Sequence, residues 1–220
     1  MAKVQEITQR VQAILRDANN DSWPEDAIHE SILEAEKVIV NYRPDAAPID
    51  TTLTCVAGIK QSITELDPAP NRLLSVKYNR VNDVNGRSVR RVGIGDLDAI
   101  RPNWRSATGA TVIREFMHDE REPLIFYVNP PAAVGAKLQL SYSAIPTRYG
   151  VVDDATNTTI SDLYEPMIIE WAMYRLFGHD IEGSVNIGRS QQHLTTFERM
   201  MGIKVDSDRK SSPRNAEYKQ

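Results

Sequence analysis

Apolar and polar positions divide the chain into a helical stretch, a β-rich stretch and a second helical stretch. Near the N-terminus, apolar residues recur at spacings of three and four, which places them on one face of a helix. This spacing predicts helices over residues 4–18 and 23–42. Ser22-Trp23-Pro24-Glu25 has the pattern of a capping box at the start of the second helix, and Arg43-Pro44 predicts its end. We expect two antiparallel helices joined by a short turn.

From about residue 47 to residue 150 the helical period is absent, and short runs of β-forming residues are separated by prolines. The candidate strands are Thr51–Val56, Leu73–Tyr78, Val112–Met117, Leu124–Val128 and Lys137–Ser143. The last of these alternates apolar and polar residues, as a strand with one buried face does. Asn85-Gly86 predicts a hairpin turn, and Asp96–Ile100 a short helical turn. This stretch is therefore predicted to be an antiparallel β-domain.

Helical spacing returns in the last third of the chain. Asp162 is the predicted N-cap of a helix that is apolar over a wide arc, includes Trp171 and ends at Gly178. A helix with so little polar surface is buried in its own core or by a neighbouring subunit. A further helix is predicted over Ser184–Met201, with Gly202 as its left-handed cap.

The order of these stretches predicts an α+β fold. Each helical pair is too small to bury its own apolar face, so we expect one four-helix bundle formed by both chain ends, residues 1–46 and 160–203. The inserted antiparallel β-domain then spans residues 47–159. Residues 204–220 have almost nothing apolar to bury, and we expect a flexible C-terminal tail that is extended or disordered until it is bound.

Composition excludes several classes of protein. The 220 residues contain 26 Lys and Arg against 30 Asp and Glu, and the net charge of -4 disfavours a protein whose main task is to bind nucleic acid. No run approaches the roughly 20 apolar residues of a membrane span, and the N-terminal residues do not have the apolar run of a secretion signal. Cys55 is the single cysteine, so no internal disulfide is expected.

The sequence lacks the constellations that enzymes use. None of the four histidines has metal-ligand spacing, and there is no phosphate-binding loop or nucleophile elbow. We therefore expect no catalytic residues, no cofactor and no metal. The densest group of possible ligands is His118-Asp119-Glu120 with Glu122, which leaves a metal-dependent hydrolase with a site near His118 as an alternative. Consecutive turn residues point in different directions, so a solvated hairpin turn is the preferred interpretation.

The centre of the chain is locally basic. It contains Arg87, Arg90, Arg91, Arg101 and Arg105, with Trp104 among them. This mixture is typical of a nucleic-acid patch, and a DNA-binding accessory protein that uses the Arg87–Arg105 region is a second alternative. Asp96 and Asp98 interleave with the arginines, which favours an exposed salt-bridged face or a subunit contact. The residues that we assign to this subunit interface are Arg90, Arg91, Arg101 and Trp104.

Several short segments together resemble the head–tail connector proteins of tailed bacteriophages, also called adaptor or head-completion proteins. These segments are Trp23-Pro24-Glu25, Asn41–Ala46, Leu97–Trp104, Phe126–Pro131, Asp162–Pro166 and Tyr174-Arg175. The resemblance depends on the order and spacing of the segments and covers residues 4–203.

The resemblance implies a structural virion protein without enzymatic activity. Such proteins assemble as a ring, a dodecamer in the typical case, that joins the portal protein at the capsid vertex to a tail tube or nozzle protein. DNA passes through the central channel during ejection without sequence-specific binding, and no membrane takes part. The chain would be made in the host cytoplasm and located in the virion, at the capsid–tail vertex. The C-terminal segment commonly reaches the portal, which assigns portal docking to Lys204, Arg209, Lys210, Arg214 and Tyr218.

Overall fold

The computed structural model describes residues 2–81, 84–153, 155–179 and 184–211, and it confirms the α+β class. The helices are α1 (Val4–Leu15), α2 (Glu25–Tyr42), α3 (Ile94–Ile100), α4 (Glu165–His179) and α5 (Ser184–Ser211). The strands are β1 (Pro48–Thr54), β2 (Gly58–Ser62), β3 (Pro70–Val81), β4 (Val84–Ser88), β5 (Arg90–Arg91), β6 (Glu115–Met117), β7 (Ile125–Ala132) and β8 (Lys137–Ala144). Short 3-10 turns cover Pro44–Ala46, Trp104–Ser106 and Asp162–Tyr164.

The chain divides into two compact units. The helical unit contains residues 1–43 and 146–220, and the β-unit contains residues 44–145. Residues 146–159, which the sequence placed in the inserted domain, therefore lie in the helical unit. One reason is that Glu36 on α2 accepts hydrogen bonds from the backbone N–H groups of Thr159 and Ile160.

Helix α4 is in contact with α1, α2 and α5. Its buried side chains are Met167, Ile168, Ala172, Met173 and Leu176. The stripes predicted from helical spacing are buried in part. Ile28, Ile32 and Ile39 on α2 and Phe197 on α5 are buried, whereas Tyr42 at the end of α2 and Ile187 near the start of α5 are exposed. The wide apolar arc of α4 thus follows from having helices on several sides. None of the helices in the described ranges has the length and apolar content of a membrane-spanning segment.

The turn between α1 and α2 differs from the predicted capping box. Pro24 precedes the first residue of α2, and no side chain of the described residues caps this helix end. Instead, the backbone N–H groups of Asp21, Ser22 and Trp23 donate to the carboxylate of Asp17, at distances of 2.8, 3.0 and 2.8 Å. A side chain at the end of α1 therefore orders the turn, in place of one at the start of α2.

The boundaries of α4 and α5 also correct the predictions. Ser161, rather than Asp162, caps the turn before α4, because its hydroxyl accepts the N–H of Leu163. Helix α5 does not end at Gly202 but continues to Ser211, so residues 204–211 are helical where an extended or disordered tail was expected. Extension of an existing helix requires no new nucleation step, which explains how a polar segment continues it. The rest of the predicted tail, residues 212–220, lies outside the described residues.

The β-unit contains two four-stranded sheets. The sheet in the order β1-β8-β3-β4 is antiparallel throughout, whereas the sheet β2-β7-β6-β5 includes a parallel pair, β5 with β6. The predicted pairing of the strands near residues 115 and 127 is confirmed, with Glu115 opposite Asn129. The predicted apolar face of β8 is confirmed, because Leu138, Leu140 and Tyr142 are fully buried in the core of this unit. The other face is not open as predicted, because Ser141 and Ser143 are buried as well.

The predicted hairpin turn at Asn85-Gly86 is wrong. Asn85 lies within β4 opposite Arg80 of β3, and Val84 lies opposite Val81. Residues 82–83, between the two strands in the sequence, lie outside the described residues. The helical turn predicted near residues 96–100 is confirmed as α3.

The buried side chain of Asn79 on β3 joins three segments of the β-unit. Its amide nitrogen donates to the carbonyl of Arg87 at 2.8 Å and to that of Ile113 at 2.7 Å. Its amide oxygen accepts the N–H of Ile113 at 2.7 Å. This one amide therefore fixes β4 relative to β3 and to the segment that precedes β6.

Candidate assembly surfaces

Glu115 on β6 is the centre of the basic region of the β-unit. Its carboxylate, which is almost fully buried, accepts hydrogen bonds from Arg90 at 2.8 Å and from Asn129 at 2.6 Å. The guanidinium of Arg101 lies 3.8 Å from the same carboxylate. Burial by itself raises the pKa of Glu115, but these hydrogen bonds and the two arginine charges outweigh burial and hold the pKa below its usual range. An ionised carboxylate thus fixes two exposed guanidinium groups.

Trp104 is buried inside the β-unit. Its side chain is 3% exposed and packs with Leu97 and Met117. The indole N–H donates to the carboxylate of Asp98 at 2.7 Å. The guanidinium carbon of Arg105 lies 4.6 Å from the centroid of the indole ring, and the same guanidinium donates to Asp98. Hydrogen bonds from Arg105 and Trp104 lower the pKa of Asp98. The ring therefore positions two surface charges and presents little of its own area to a partner.

The other arginines of this region differ in their surroundings. Arg91 lies 3.9 Å from Glu120 and 3.5 Å from the carbonyl oxygen of His118, whereas Arg87 is exposed on β4. Four of the five arginines that the sequence singled out thus have an acidic neighbour, namely Arg90, Arg91, Arg101 and Arg105. Paired arginines attract phosphates less than free ones do, so the arrangement favours a protein contact over the DNA-binding alternative.

The candidate metal cluster near His118 is not assembled. The Nδ1 atom of His118 lies 2.9 Å from the carbonyl oxygen of Ile125, and a carboxylate oxygen of Glu122 lies 3.4 Å from the hydroxyl of Tyr127. In the part of the chain that the structure describes, no group of three or more His, Cys, Asp or Glu side chains is arranged to hold a metal ion. The geometry therefore gives the hydrolase alternative no support.

The helical unit carries an apolar groove along α2, α4 and α5. It has a volume of about 400 Å³ and is lined by Val38, Tyr42, Trp171, Leu194, Phe197, Glu198, Met201 and Gly202. The rings of Trp171 and Phe197 meet edge to face, with centroids 5.0 Å apart. Tyr42 is 68% exposed, although the helical spacing had placed it on the buried stripe of α2. The exposed ring of Tyr42 and the half-buried ring of Trp171 give this open groove a surface suited to apolar side chains of a protein partner.

Polar contacts fix α5 against α4 beside this groove. His193 lies 2.8 Å from the carboxylate of Glu170, and the His193 ring stacks on Phe177 with centroids 5.7 Å apart. The hydroxyl of Ser190 donates to the carbonyl of Tyr174 at 2.9 Å. Gly178 lies at this contact, where a Cβ atom would come within 3.3 Å of the Ser190 hydroxyl. These contacts hold α5 close against α4.

Sequence patterns did not bring the residues of the groove together. The wide apolar arc of α4 was a signal that a second contact surface exists, and Trp171 lies on that arc. The pattern could not show that Val38 and Tyr42 line the same groove, because periodicity gives the face of each helix but not the rotation of one helix relative to another.

The predicted docking residues lie at the C-terminal end of the chain. Lys204, Arg209 and Lys210 are in the last part of α5. Arg214 and Tyr218 lie outside the described residues. The structure therefore places three of these five residues on a helix that extends beyond the groove-lining residues.

Comparison with known proteins identifies one protein family. Residues 2–217 match the family described as SU10 adaptor protein. The match includes both structural units and nearly all of the C-terminal segment. A search of curated proteins finds no match.

Proposed function

The chain belongs to the SU10 adaptor protein family, a bacteriophage head–tail adaptor family, and we propose that copies of it form a ring that joins the portal vertex of the capsid to the tail. The observation that carries this proposal is the family match over residues 2–217. The protein is a phage structural adaptor, as the resemblance of its sequence segments indicated. The dodecameric copy number and the central DNA channel are proposed on the basis of the same resemblance.

We propose that α1, α2, α4 and α5 act as one four-helix bundle contributed by both chain ends. The contacts of α4 with the other three helices support this arrangement. A bundle whose central helix holds both ends of the chain would keep its shape when DNA and tail proteins exert force on the vertex. The β-unit would then be the part inserted between the second and third helices of the bundle.

A ring of identical copies needs two different patches on every subunit, one for each neighbour. On the helical unit we assign one of these patches to the groove around Trp171. On the β-unit we assign the contact to Arg90, Arg91 and Arg101, which are exposed and held in place by carboxylates. Trp104 contributes to this interface from the interior by positioning Arg105.

We propose that the C-terminal segment docks on the portal protein. The residues assigned to this contact are Lys204, Arg209, Lys210, Arg214 and Tyr218. The segment has more basic than acidic residues, whereas the whole chain has a net charge of -4. A basic segment at the end of a helix can reach an acidic surface of a partner while the rest of the subunit stays in the ring.

The proposed location is the virion, at the capsid–tail vertex, after synthesis in the host cytoplasm. The portal protein contacts one side of the ring, and a tail tube or nozzle protein contacts the other. DNA passes through the channel without sequence-specific binding. The acidic net charge and the paired arginines support this part of the proposal, because both reduce attraction to phosphates.

Electron microscopy of the particle vertex tests the proposal. We expect a ring of this chain between the portal and the tail. In infections with phage that lacks this chain, we also expect DNA-filled capsids without tails. Tails that attach normally in its absence, or other chains in place of this one between the portal and the tail, would overturn the proposal.

A further inference from the structure

Strand β4 is an outer strand with an open edge. In the described part of the chain it pairs with β3 alone, and all of its residues, Val84–Ser88, are exposed. Val84 is 66% exposed, and Val81 opposite it on β3 is 43% exposed. The strand contains no lysine or proline, which commonly block pairing at an edge, although it carries Arg87 and its register with β3 shifts between Tyr78 and Arg80. Exposed β-branched side chains next to unpaired backbone groups are what another strand packs against.

Strand β1 is the outer strand at the opposite side of the same sheet. The carbonyl of Ala47 accepts the N–H of Ala144, and the N–H of Cys55 donates to the carbonyl of Ala136. The register of β1 with β8 has no shift, so the backbone N–H and C=O groups of all odd-numbered positions of β1 face β8. Because backbone groups alternate along a strand, those of the even-numbered positions face away from the sheet. These outward-facing residues are Pro48, Asp50, Thr52 and Thr54, of which Pro48 has no N–H to donate.

The two open edges are complementary in direction. The sheet consists of four strands in antiparallel alternation, so β1 and β4 run in opposite directions. When a second copy in the same orientation lies beside the first, its β1 is antiparallel to the first copy's β4. The alternation of the sheet then continues across the contact. Since the two edges differ, such a contact is heterologous and can repeat around a ring, whereas β4 against β4 would give a closed dimer.

The two edges carry exposed side chains of opposite charge. Arg87 is exposed on β4, and Asp50 on β1, which pairs with Lys77 of its own sheet at 2.6 Å, keeps 54% of its side chain exposed. From these observations we propose that β4 of one copy pairs as an antiparallel strand with β1 of the next copy. The proposal rests on the proposed ring, and it assigns the subunit contact to backbone hydrogen bonds between two specific strands.

Cysteine cross-linking tests which edges meet. Cys55 gives little background, because it is 3% exposed and burial raises the pKa of its thiol to about 11. Full-length chain with Arg87→Cys is mixed with full-length chain with Thr52→Cys and treated with a short bismaleimide. We expect several-fold more cross-linked dimer in the mixture than in either variant alone. If either variant alone gave as much cross-linked dimer as the mixture, two copies of the same edge would be in contact, and the proposal would be overturned. The control, Ser62→Cys on outer strand β2, should not cross-link to Arg87→Cys.

Substitution of one outward-facing residue tests the backbone hydrogen bonds. Thr52→Pro removes an outward N–H, whereas Thr52→Ala keeps it, and both variants lose the bond from the Thr52 hydroxyl to Gln139. We expect the proline variant to self-associate about tenfold more weakly than the alanine variant in sedimentation experiments, a difference of about 1.4 kcal/mol. Lys60→Pro, the same change on the edge of β2, should associate as the wild type does. Equal association of the two Thr52 variants would overturn the strand contact.

Failure of the strand contact and failure of the ring give different results. If the wild-type chain forms rings and Thr52→Pro forms them equally well, the strand contact is overturned and the adaptor ring stands. If the wild-type chain is a monomer in solution and also in vertex complexes isolated from particles, both are overturned. Circular dichroism of each variant confirms that it is folded before either conclusion is drawn.

Discussion

The hydroxyl of Tyr149 donates a hydrogen bond to the carboxylate of Glu36, which is fully buried in the middle of α2. The other oxygen of this carboxylate accepts the N–H of Thr159 at 2.5 Å and that of Ile160 at 3.3 Å. One side chain thus fixes both ends of the segment that leads into α4. Burial raises the pKa of Glu36, even though its three hydrogen bonds oppose that change.

Removal of the Glu36 carboxylate should destabilise the helical unit. Glu36→Ala leaves two backbone N–H groups and the Tyr149 hydroxyl without their acceptor, and we expect a loss of about 2–4 kcal/mol in the free energy of unfolding. Urea titration followed by circular dichroism measures this loss. Glu30→Ala is the matched control, because Glu30 pairs with Arg148 on the exposed surface and should cost less than about 1 kcal/mol. Equal effects of the two substitutions would contradict the role of Glu36.

The raised pKa of Glu36 predicts a pH dependence. In the unfolded chain this carboxyl ionises near its ordinary pKa of 4.5, whereas in the folded chain it stays protonated to a higher pH. Its contribution to stability is therefore complete below pH 4.5 and is lost as the pH rises through the folded-state value. Glu36→Gln removes this dependence, so the stability difference between wild type and variant should change over this range. A constant difference would show that the pKa is not raised.

The partial exposure of Trp171 predicts a modest cost for its removal. Ile168 on the same helix is fully buried, and Ile168→Ala should cost about 3 kcal/mol in the free energy of unfolding. Trp171→Ala removes a larger side chain but opens an existing groove, and we expect about 2 kcal/mol. Thermal and urea unfolding show which of the two variants loses more free energy of unfolding. The reverse order would place Trp171 in the closed core, as its helical spacing alone suggested.

The buried amide of Asn79 predicts a large effect of a small change. Asn79→Ala leaves the N–H and carbonyl groups of Ile113 without partners, and we expect a loss of about 2–4 kcal/mol. Asn85→Ala, on the exposed strand β4, is the control and should change stability by less than about 0.5 kcal/mol. The expected loss would be refuted if both variants unfolded at the same urea concentration.

Deletion of residues 206–220 separates folding from docking. The groove-lining residues and the buried residues that the structure describes lie before this segment, so we expect the free energy of unfolding to change by less than about 1 kcal/mol. Attachment of the chain to isolated portal, measured by co-sedimentation, should weaken. A chain with Arg209→Glu and Lys210→Glu should weaken it too if charge directs the contact. Unchanged attachment of the deletion variant would refute the docking role.

Regular elements could be predicted wherever one face of a helix or strand is buried. The stripe of α2 and the alternation of β8 follow directly from the burial of Ile28, Ile32 and Leu140, because periodicity records which side faces the core. Element ends could not be predicted in the same way. Asn85-Gly86 has the composition of a hairpin turn but lies inside β4, where pairing with β3 outweighs the local preference of these residues.

The sequence by itself determined the α+β class, the discontinuous order of helices and strands, and the resemblance to phage adaptors. These depend on local periodicity and on the order of short segments, which the chain carries without reference to its fold. Only the tertiary structure decided that Trp104 is interior and that Glu36 holds the segment before α4. It also decided that β1 and β4 form opposite open edges of one sheet. Each of these depends on partners distant in sequence, whose positions are fixed only when elements pack together.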